Sequence, residues 1–361
     1  MTITPRTVST PKTTKVDKKP AGYFTKEKEI EFYSSGCKLL DCVLGGGWPI
    51  GRMSNIVGDK STGKTGMAIE ACANFKQTYP DKSKIWYFEA ESAFDKAYAE
   101  VLGLPVKSIE FVNDLLSDEE TAKKILRKES ALDNTVETLF EHLEYVISVA
   151  GKEFTRGLYI VDSLDALSDR AEQGRGISEG TYGTKKAAQL SQLFRRLVDK
   201  LGKANIHLLV LSQVRDNIGV TFGAKHTRSG GKALDFYASQ VLWLAEVKKH
   251  SKTMNKITRV IGIQVKAQCK KNKIGMPYRD CEYPIMFAYG IDDIKAHIEW
   301  LASREALDSL DFTPNKPELL LKQLPKMGIE EIKNLQSKLD ALVLSEWNSI
   351  EEGFLPARSK Y

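Results

Sequence analysis

The chain has 361 residues, 42% hydrophobic and 28% charged, with a formal net charge of +6, a size that calls for one large domain with one or two small appendages. No run approaches the roughly 18–20 consecutive apolar residues that cross a bilayer, and the N-terminus lacks a signal-peptide core, so a cytoplasmic protein with no membrane role is expected. The five cysteines include no C-x-x-C pair and the five histidines lack metal-ligand spacing, which argues for reduced thiols and against a disulfide framework or a zinc site.

In chain order, residues 1–22 read as a disordered basic tail. Residues 1–20 hold Arg6, Lys12, Lys15, Lys18 and Lys19 against Asp17, leaving about +2 for the remainder. Net charge by itself therefore gives no argument for DNA. Residues 23–32 read as a linker or polymerisation segment, with Phe24 docking on a neighbouring copy. Leu39 to Leu44, then Gly45-Gly46-Gly47-Trp48-Pro49, fits a short helix ending in glycines and a turn. Asn55-Ile56-Val57 is a strand, and Gly66 to Tyr79 has helical character. Between them, Gly58-Asp59-Lys60-Ser61-Thr62-Gly63-Lys64-Thr65 fills all four fixed positions of a phosphate-binding loop. Ile85 to Phe88, Leu158 to Val161, Ile206 to Leu211, Val241 to Leu244 and Val260 to Val265 are strands. Val136, Leu139, Phe140, Leu143 and Ile147 mark one helix face, and Lys185–Leu201 is a second helix with Leu190, Leu193, Phe194 and Leu197 on one side. Strands alternating with helices predict an α/β fold, a P-loop core with a mainly parallel central sheet over residues 33–302. From residue 303 to 361, Pro314, Pro317 and Pro325 punctuate helical patterns such as Ile329 to Leu344, which predicts a small C-terminal helical domain.

The loop defines the chemistry. Glycines at 58 and 63 let backbone N–H groups approach a triphosphate, and the following helix presents its positive end. Lys64 reaches the β- and γ-phosphates, and the Thr65 hydroxyl binds Mg²⁺. Asp162 closes an apolar strand, where a carboxylate sits beside the loop to hold the metal through water. Glu89 and Glu91 end another strand, and either can serve as the base that polarises a water, since alternate strand positions share a face.

Phe88-Glu89-Ala90-Glu91-Ser92-Ala93-Phe94-Asp95-Lys96-Ala97-Tyr98-Ala99 resembles the segment of RecA-type recombinases that runs aspartate-alanine-glutamate through to aspartate-x-x-tyrosine-alanine. The resemblance implies that Glu91 is the catalytic acid and that Asp95 and Tyr98 contact and stack on adenine, stacking being worth about 1–3 kcal/mol per base. Ser212-Gln213-Val214-Arg215-Asp216-Asn217-Ile218-Gly219-Val220-Thr221-Phe222-Gly223 and Ser229-Gly230-Gly231-Lys232-Ala233-Leu234 resemble the start and end of that family's second DNA loop. This implies a γ-phosphate sensor at Gln213. It also implies DNA contacts across residues 214–231 through Arg215, Ile218, Gly219, Val220, Phe222, Gly230 and Gly231. The first DNA loop falls near residues 171–183, with Arg175 and Gly176. Lys185, Lys186, Arg195 and Arg196 follow on the next helix. Lys270-Lys271-Asn272-Lys273 resembles the paired-lysine motif, which implies that Lys271 and Lys273 reach the γ-phosphate of the neighbouring subunit. Phe287 falls where a second aromatic meets adenine.

The resemblance covers about residues 33–300. It implies an Mg²⁺-dependent, DNA-dependent ATPase that forms helical filaments on single-stranded DNA and exchanges strands with double-stranded DNA, assisted by mediator and single-strand-binding proteins. Ala21 to Lys28 looks like the lead-in of the UvsX recombinases of T-even phages, which implies a phage-type member working in a host cytoplasm. The N-terminal segment lacks the apolar periodicity of the long helix with which bacterial RecA joins subunits. The C-terminus lacks an acidic tail, and Lys60 replaces a commoner uncharged or acidic residue. A hexameric replicative helicase and a non-catalytic recombinase regulator are the alternatives.

Overall fold

The computed structural model describes residues 29–126, 134–170, 183–216, 226–228 and 231–358. The basic tail, most of the 23–32 segment and most of both expected DNA loops lie outside the described residues. Contacts divide the chain into Met1–Glu31 and Phe32–Tyr361, and the second unit carries the fold. No described helix is long and apolar enough to cross a membrane.

The strands are β1 (Phe32–Tyr33), β2 (Trp48–Pro49), β3 (Met53–Gly58), β4 (Ser83–Glu89), β5 (Ile109–Phe111), β6 (Arg156–Asp162), β7 (Ile206–Asp216), β8 (His226–Arg228), β9 (Gln240–Met254), β10 (Ile257–Asn272), β11 (Arg279–Met286) and β12 (Gly290–Ile291). β1 and β2 pair with each other. The rest form one sheet in the order β12-β11-β10-β9-β3-β7-β6-β4-β5, with β8 on β7. From β9 through β3, β7, β6 and β4 to β5 the neighbours are parallel. Alternate residues of these strands feed opposite faces, as a pleated strand requires. Ile85, Tyr87, Leu158, Ile160, Leu209 and Leu242 join one core, and Trp86, Phe88, Tyr159, Val161, Leu208 and Val241 join the other. Helices cover both faces, so the strands read as continuous apolar runs. The first face is covered by the Lys38–Leu44, Lys64–Thr78 and Asp293–Ser303 helices, the second by Val136–Val149 and Gly183–Ala204.

The sheet departs from all-parallel on one side, where β9 to β12 run antiparallel. A two-residue turn at Asn255 and Lys256, both at positive φ (50° and 62°), joins β9 to β10. Two successive positive φ values suit the right-handed twist of a tight hairpin. The hairpin outgrows the two short strands expected there, because its outer half packs on no core and its apolar residues (Val247, Met254, Ile257, Val260) follow no regular alternation. Val247 to Lys249 and Ser251 to Val260 are exposed.

Within residues 303–358 the α-helices are Pro317–Gln323 and Ile329–Gly353, reached through turns after Ser303. Their Leu320, Leu335, Leu339 and Val343 enter the same core as the Lys38–Leu44 helix. Arg279 grips Glu351 at both ends, with Nε to Oε1 at 2.6 Å and Nη2 to Oε2 at 2.5 Å.

Candidate functional site

β3 ends at Gly58, and the Lys64–Thr78 helix begins where the loop closes. A Cβ at Gly58 would lie 2.5 Å from Thr62 Oγ1, and at Gly63 (φ +86°) 2.5 Å from Ile285 Cδ1, so side chains are excluded there. Asp59, Lys60 and Ser61 are exposed on the rim, while Thr62 turns inward and its hydroxyl donates to Asp59 O at 2.9 Å. Lys64 Nζ donates to Gly58 O and Asp59 O at 3.0 and 2.7 Å. Burial lowers its pKa, with the carboxylates of Glu91, Asp162, Asp59 and Asp165 pulling the other way.

Thr65 and Asp162 lie together. The Thr65 hydroxyl donates to Asp162 Oδ2 at 2.9 Å, and the Tyr87 hydroxyl donates to the same oxygen at 2.8 Å. Burial pushes the Asp162 pKa up to about 6, opposed by those two hydrogen bonds. A hydroxyl and a carboxylate this close are the hard oxygen donors that Mg²⁺ takes when phosphates supply the rest of its shell. Among the described residues, no cluster of three or more His, Cys, Asp or Glu side chains could hold a metal independently.

The two strand-end glutamates separate cleanly. Glu89 is consumed by its own turn, its carboxylate accepting the backbone N–H groups of Glu91, Ala93 and Phe94 at 3.1–3.2 Å. Glu91 faces the site instead. Its Oε1 accepts Gln213 Nε2 at 2.8 Å and also the Ser163 hydroxyl. Ser163 went unassigned from sequence, although it directly follows the metal-type Asp162. Asp165 was missed too: its Oδ2 accepts the Gln213 N–H at 2.6 Å within β7.

Beyond Gln213, the two stems of the 214–231 segment pair with each other. Val214 lies opposite Arg228, Arg215 opposite Thr227 and Asp216 opposite His226. Gly231 opens the helix Gly231–Tyr237. Arg175, Gly176, Ile218, Gly219, Val220, Phe222 and Gly230 lie outside the described residues. Arg195 is exposed on the Gly183–Ala204 helix. Its neighbours are engaged within the fold: Arg196 contacts Glu144 at 3.6 Å and lies over the Phe140 ring, while Lys186 donates to Asp165 O and Leu167 O.

Asp95 caps the Lys96–Val101 helix through the Tyr98 N–H at 2.9 Å, and Tyr98 packs half-buried beside Gly66. Phe287 is exposed in the turn between β11 and β12.

Lys271 and Lys273 lie at the far end of the sheet. Lys271 pairs with Val241, which pairs with Asn55, and the Lys273 N–H donates to Ser239 O, whose own N–H reaches Met53 O. At about 3.3 Å per residue, Lys273 stands roughly 16 Å along the strand axis from its own phosphate loop and Lys271 roughly 10 Å. Both ammonium groups rest on carbonyls at the C-terminal end of Gly231–Tyr237: Lys271 on Asp235 O and Phe236 O, Lys273 on Phe236 O at 2.9 Å. Phe236 beside them is 70% exposed.

The RecA N-terminal domain family matches residues 21–292. The chain belongs to the RecA family. It is similar to Protein RecA of Trichodesmium erythraeum (strain IMS101), 32% identical over 75% of this chain and 67% of that protein. Protein RecA of Arthrospira platensis is 31% identical over 75% of this chain and 66% of that protein. Protein RecA of Nostoc punctiforme is 30% identical over 89% of this chain and 84% of that protein. RecA membership agrees with the resemblance read from residues 88–99, 212–223, 229–234 and 270–273, and the parallel P-loop sheet agrees with the RecA-type core predicted for it.

Proposed function

We propose that this RecA-family chain is a DNA-dependent ATPase that polymerises on single-stranded DNA and drives homologous pairing and strand exchange with double-stranded DNA. The observation that carries it is the 2.8 Å hydrogen bond between Glu91 and Gln213 at the root of the 214–231 segment. The residue that orients the attacking water is thereby tied to the strand that leads into the DNA loop. Glu91 accepts the proton of that water, and Gln213 and Ser163 hold its carboxylate in place. Gln213 also presents a neutral amide to the γ-phosphate, which adds no repulsion. Lys64 and the loop N–H groups bind the triphosphate of ATP. Mg²⁺, held through Thr65 and Asp162, would neutralise phosphate charge when bound. Tyr98 and Phe287 serve adenine, with Asp95 fixing the start of the Tyr98 helix.

Lys271 and Lys273, whose ammonium groups rest on the Asp235 and Phe236 carbonyls rather than on their own loop, serve the γ-phosphate of the next molecule. An interface whose two sides differ repeats head to tail and gives an open helical filament unless the rotation closes. DNA, filament and ATP then favour one subunit arrangement by linkage. The protein works in the cytoplasm with single-strand-binding and mediator proteins, and residues 21–28 support a phage-type UvsX-like member.

The test is ATP turnover with and without single-stranded DNA, beside negative-stain images with ATP and long single strands. DNA-stimulated turnover and continuous helical filaments are expected. Discrete rings would favour a helicase, and DNA-independent or absent turnover a regulator.

A further inference from the structure

Tyr98 is held by a carboxyl that the hydrolysis machinery does not use. Its hydroxyl donates to Glu70 Oε1 at 3.2 Å, and the same oxygen accepts the Ile291 N–H at 2.9 Å. Glu70 is 7% exposed, on the helix that begins with Lys64 and Thr65. At 1.5 Å per residue it sits about 9 Å along the axis beyond Lys64. The fit leaves no slack. A Cβ on Gly290 (φ +109°) would stand 2.4 Å from Glu70 Oε1 and 3.3 Å from the Tyr98 hydroxyl. On the other flank, a Cβ on Gly66 would touch the Tyr98 ring at 3.7 Å. One oxygen thus joins three elements: the phosphate-loop helix, the helix that carries Tyr98, and β12, which closes the turn that carries Phe287.

Burying a carboxyl costs the fold unless its oxygens are used, and burial pushes the Glu70 pKa up to about 7. The two hydrogen bonds lower it only in part, so packing alone would be better served by an apolar side chain. What an apolar side chain cannot do is hold a tyrosine hydroxyl and a backbone N–H together.

We propose that Glu70 is a positioning residue that sets the Tyr98 ring and the Phe287–Ile291 turn at the base end of the nucleotide, so that preference for ATP over a bare triphosphate depends on its carboxyl oxygen. This rests on the reading of Tyr98 as the residue that stacks on the base.

The test is calorimetric binding of ATP and of inorganic tripolyphosphate to the full chain and its variants, with steady-state turnover alongside. Glu70→Leu is expected to weaken ATP about tenfold, the upper end of what one neutral hydrogen bond is worth, and to leave tripolyphosphate unchanged. KM for ATP rises while kcat holds. Glu70→Gln, which keeps an acceptor oxygen, stays within about twofold of wild type. The double variant Glu70→Leu/Tyr98→Phe is no weaker for ATP than Glu70→Leu, because the two groups act through one bond. Equal weakening of both ligands by Glu70→Leu would mean support of the fold only and would overturn the proposal. A selective loss in Tyr98→Ala without one in Glu70→Leu also overturns it. If Tyr98→Ala weakens both ligands alike, the stacking reading itself fails. Should Glu70→Leu not fold, Tyr98→Phe removes only the donor, and an unchanged ATP-to-tripolyphosphate ratio there rejects the inference.

Discussion

Replacing Asp162 with asparagine is expected to stabilise the nucleotide-free protein while abolishing its turnover. Asp162 is 1% exposed, and burial lifts its pKa from the ordinary 3.8 to about 6 despite hydrogen bonds from Tyr87 and Thr65. That displacement makes the ionised carboxylate cost the fold about 3 kcal/mol at neutral pH. The folded pKa lies above the unfolded one. Between about pH 4 and pH 6 the native state therefore keeps a proton that the unfolded chain has released. Stability from this group falls as pH rises through that window, and above it the whole penalty applies. Asparagine has no charge to bury, and its Oδ1 still accepts from both hydroxyls. In urea unfolding at pH 7.5 without nucleotide, Asp162→Asn should exceed wild type by about 2–3 kcal/mol. Below pH 4 the two proteins should converge. Burial also raises Glu70, Asp293 and Asp340, to about 7, 7 and 6, so only the difference between variant and wild type isolates Asp162. A variant no more stable at pH 7.5, or a gain that survives at low pH, would refute the reasoning.

Other expectations concern the base, the phosphate anchor and the C-terminal helices. Glu91→Gln should lower kcat by about 10²–10⁴ with ATP affinity retained; a loss of affinity with kcat intact would assign Glu91 to binding instead. Lys64→Ala should abolish ATP turnover, and an unchanged rate removes it from the site. Leu339→Ala, at a fully buried position of the Ile329–Gly353 helix, should cost about 2–5 kcal/mol. Because Leu339 shares its core with β-strand residues, the whole unfolding transition should shift as one. An early, separate loss of helix signal would instead make residues 303–358 an independent unit.

The phosphate loop was legible because its chemistry is local: glycines where a Cβ collides, then lysine and threonine at the helix start. Apolar strands alternating with helices likewise announced the α/β sheet. Position alone did not separate Glu89 from Glu91, and only the resemblance pointed to Glu91; the structure ends β4 at Glu89 and leaves Glu91 in the turn beyond it. The turn at residues 91–94 decides between them by spending its N–H groups on Glu89. Asp165 was hidden because its role depends on β6 and β7 lying side by side, which brings it to Gln213. Glu70 reads as one polar position in a helix, and its partner Ile291 is 221 residues away. The long β9–β10 hairpin escaped for the opposite reason: its outer strands touch no core, so no apolar period marks them.

The proposed site is completed by the next molecule. Its most direct measurement is ATP turnover on single-stranded DNA by an equimolar mixture of Lys64→Ala protein and Lys271→Ala/Lys273→Ala protein. Each is expected to be inactive by itself. Mixed, about a quarter of head-to-tail interfaces join an intact phosphate loop to intact lysines, and about that fraction of wild-type turnover should return. A mixture as inactive as its components would contradict completion of the site in trans.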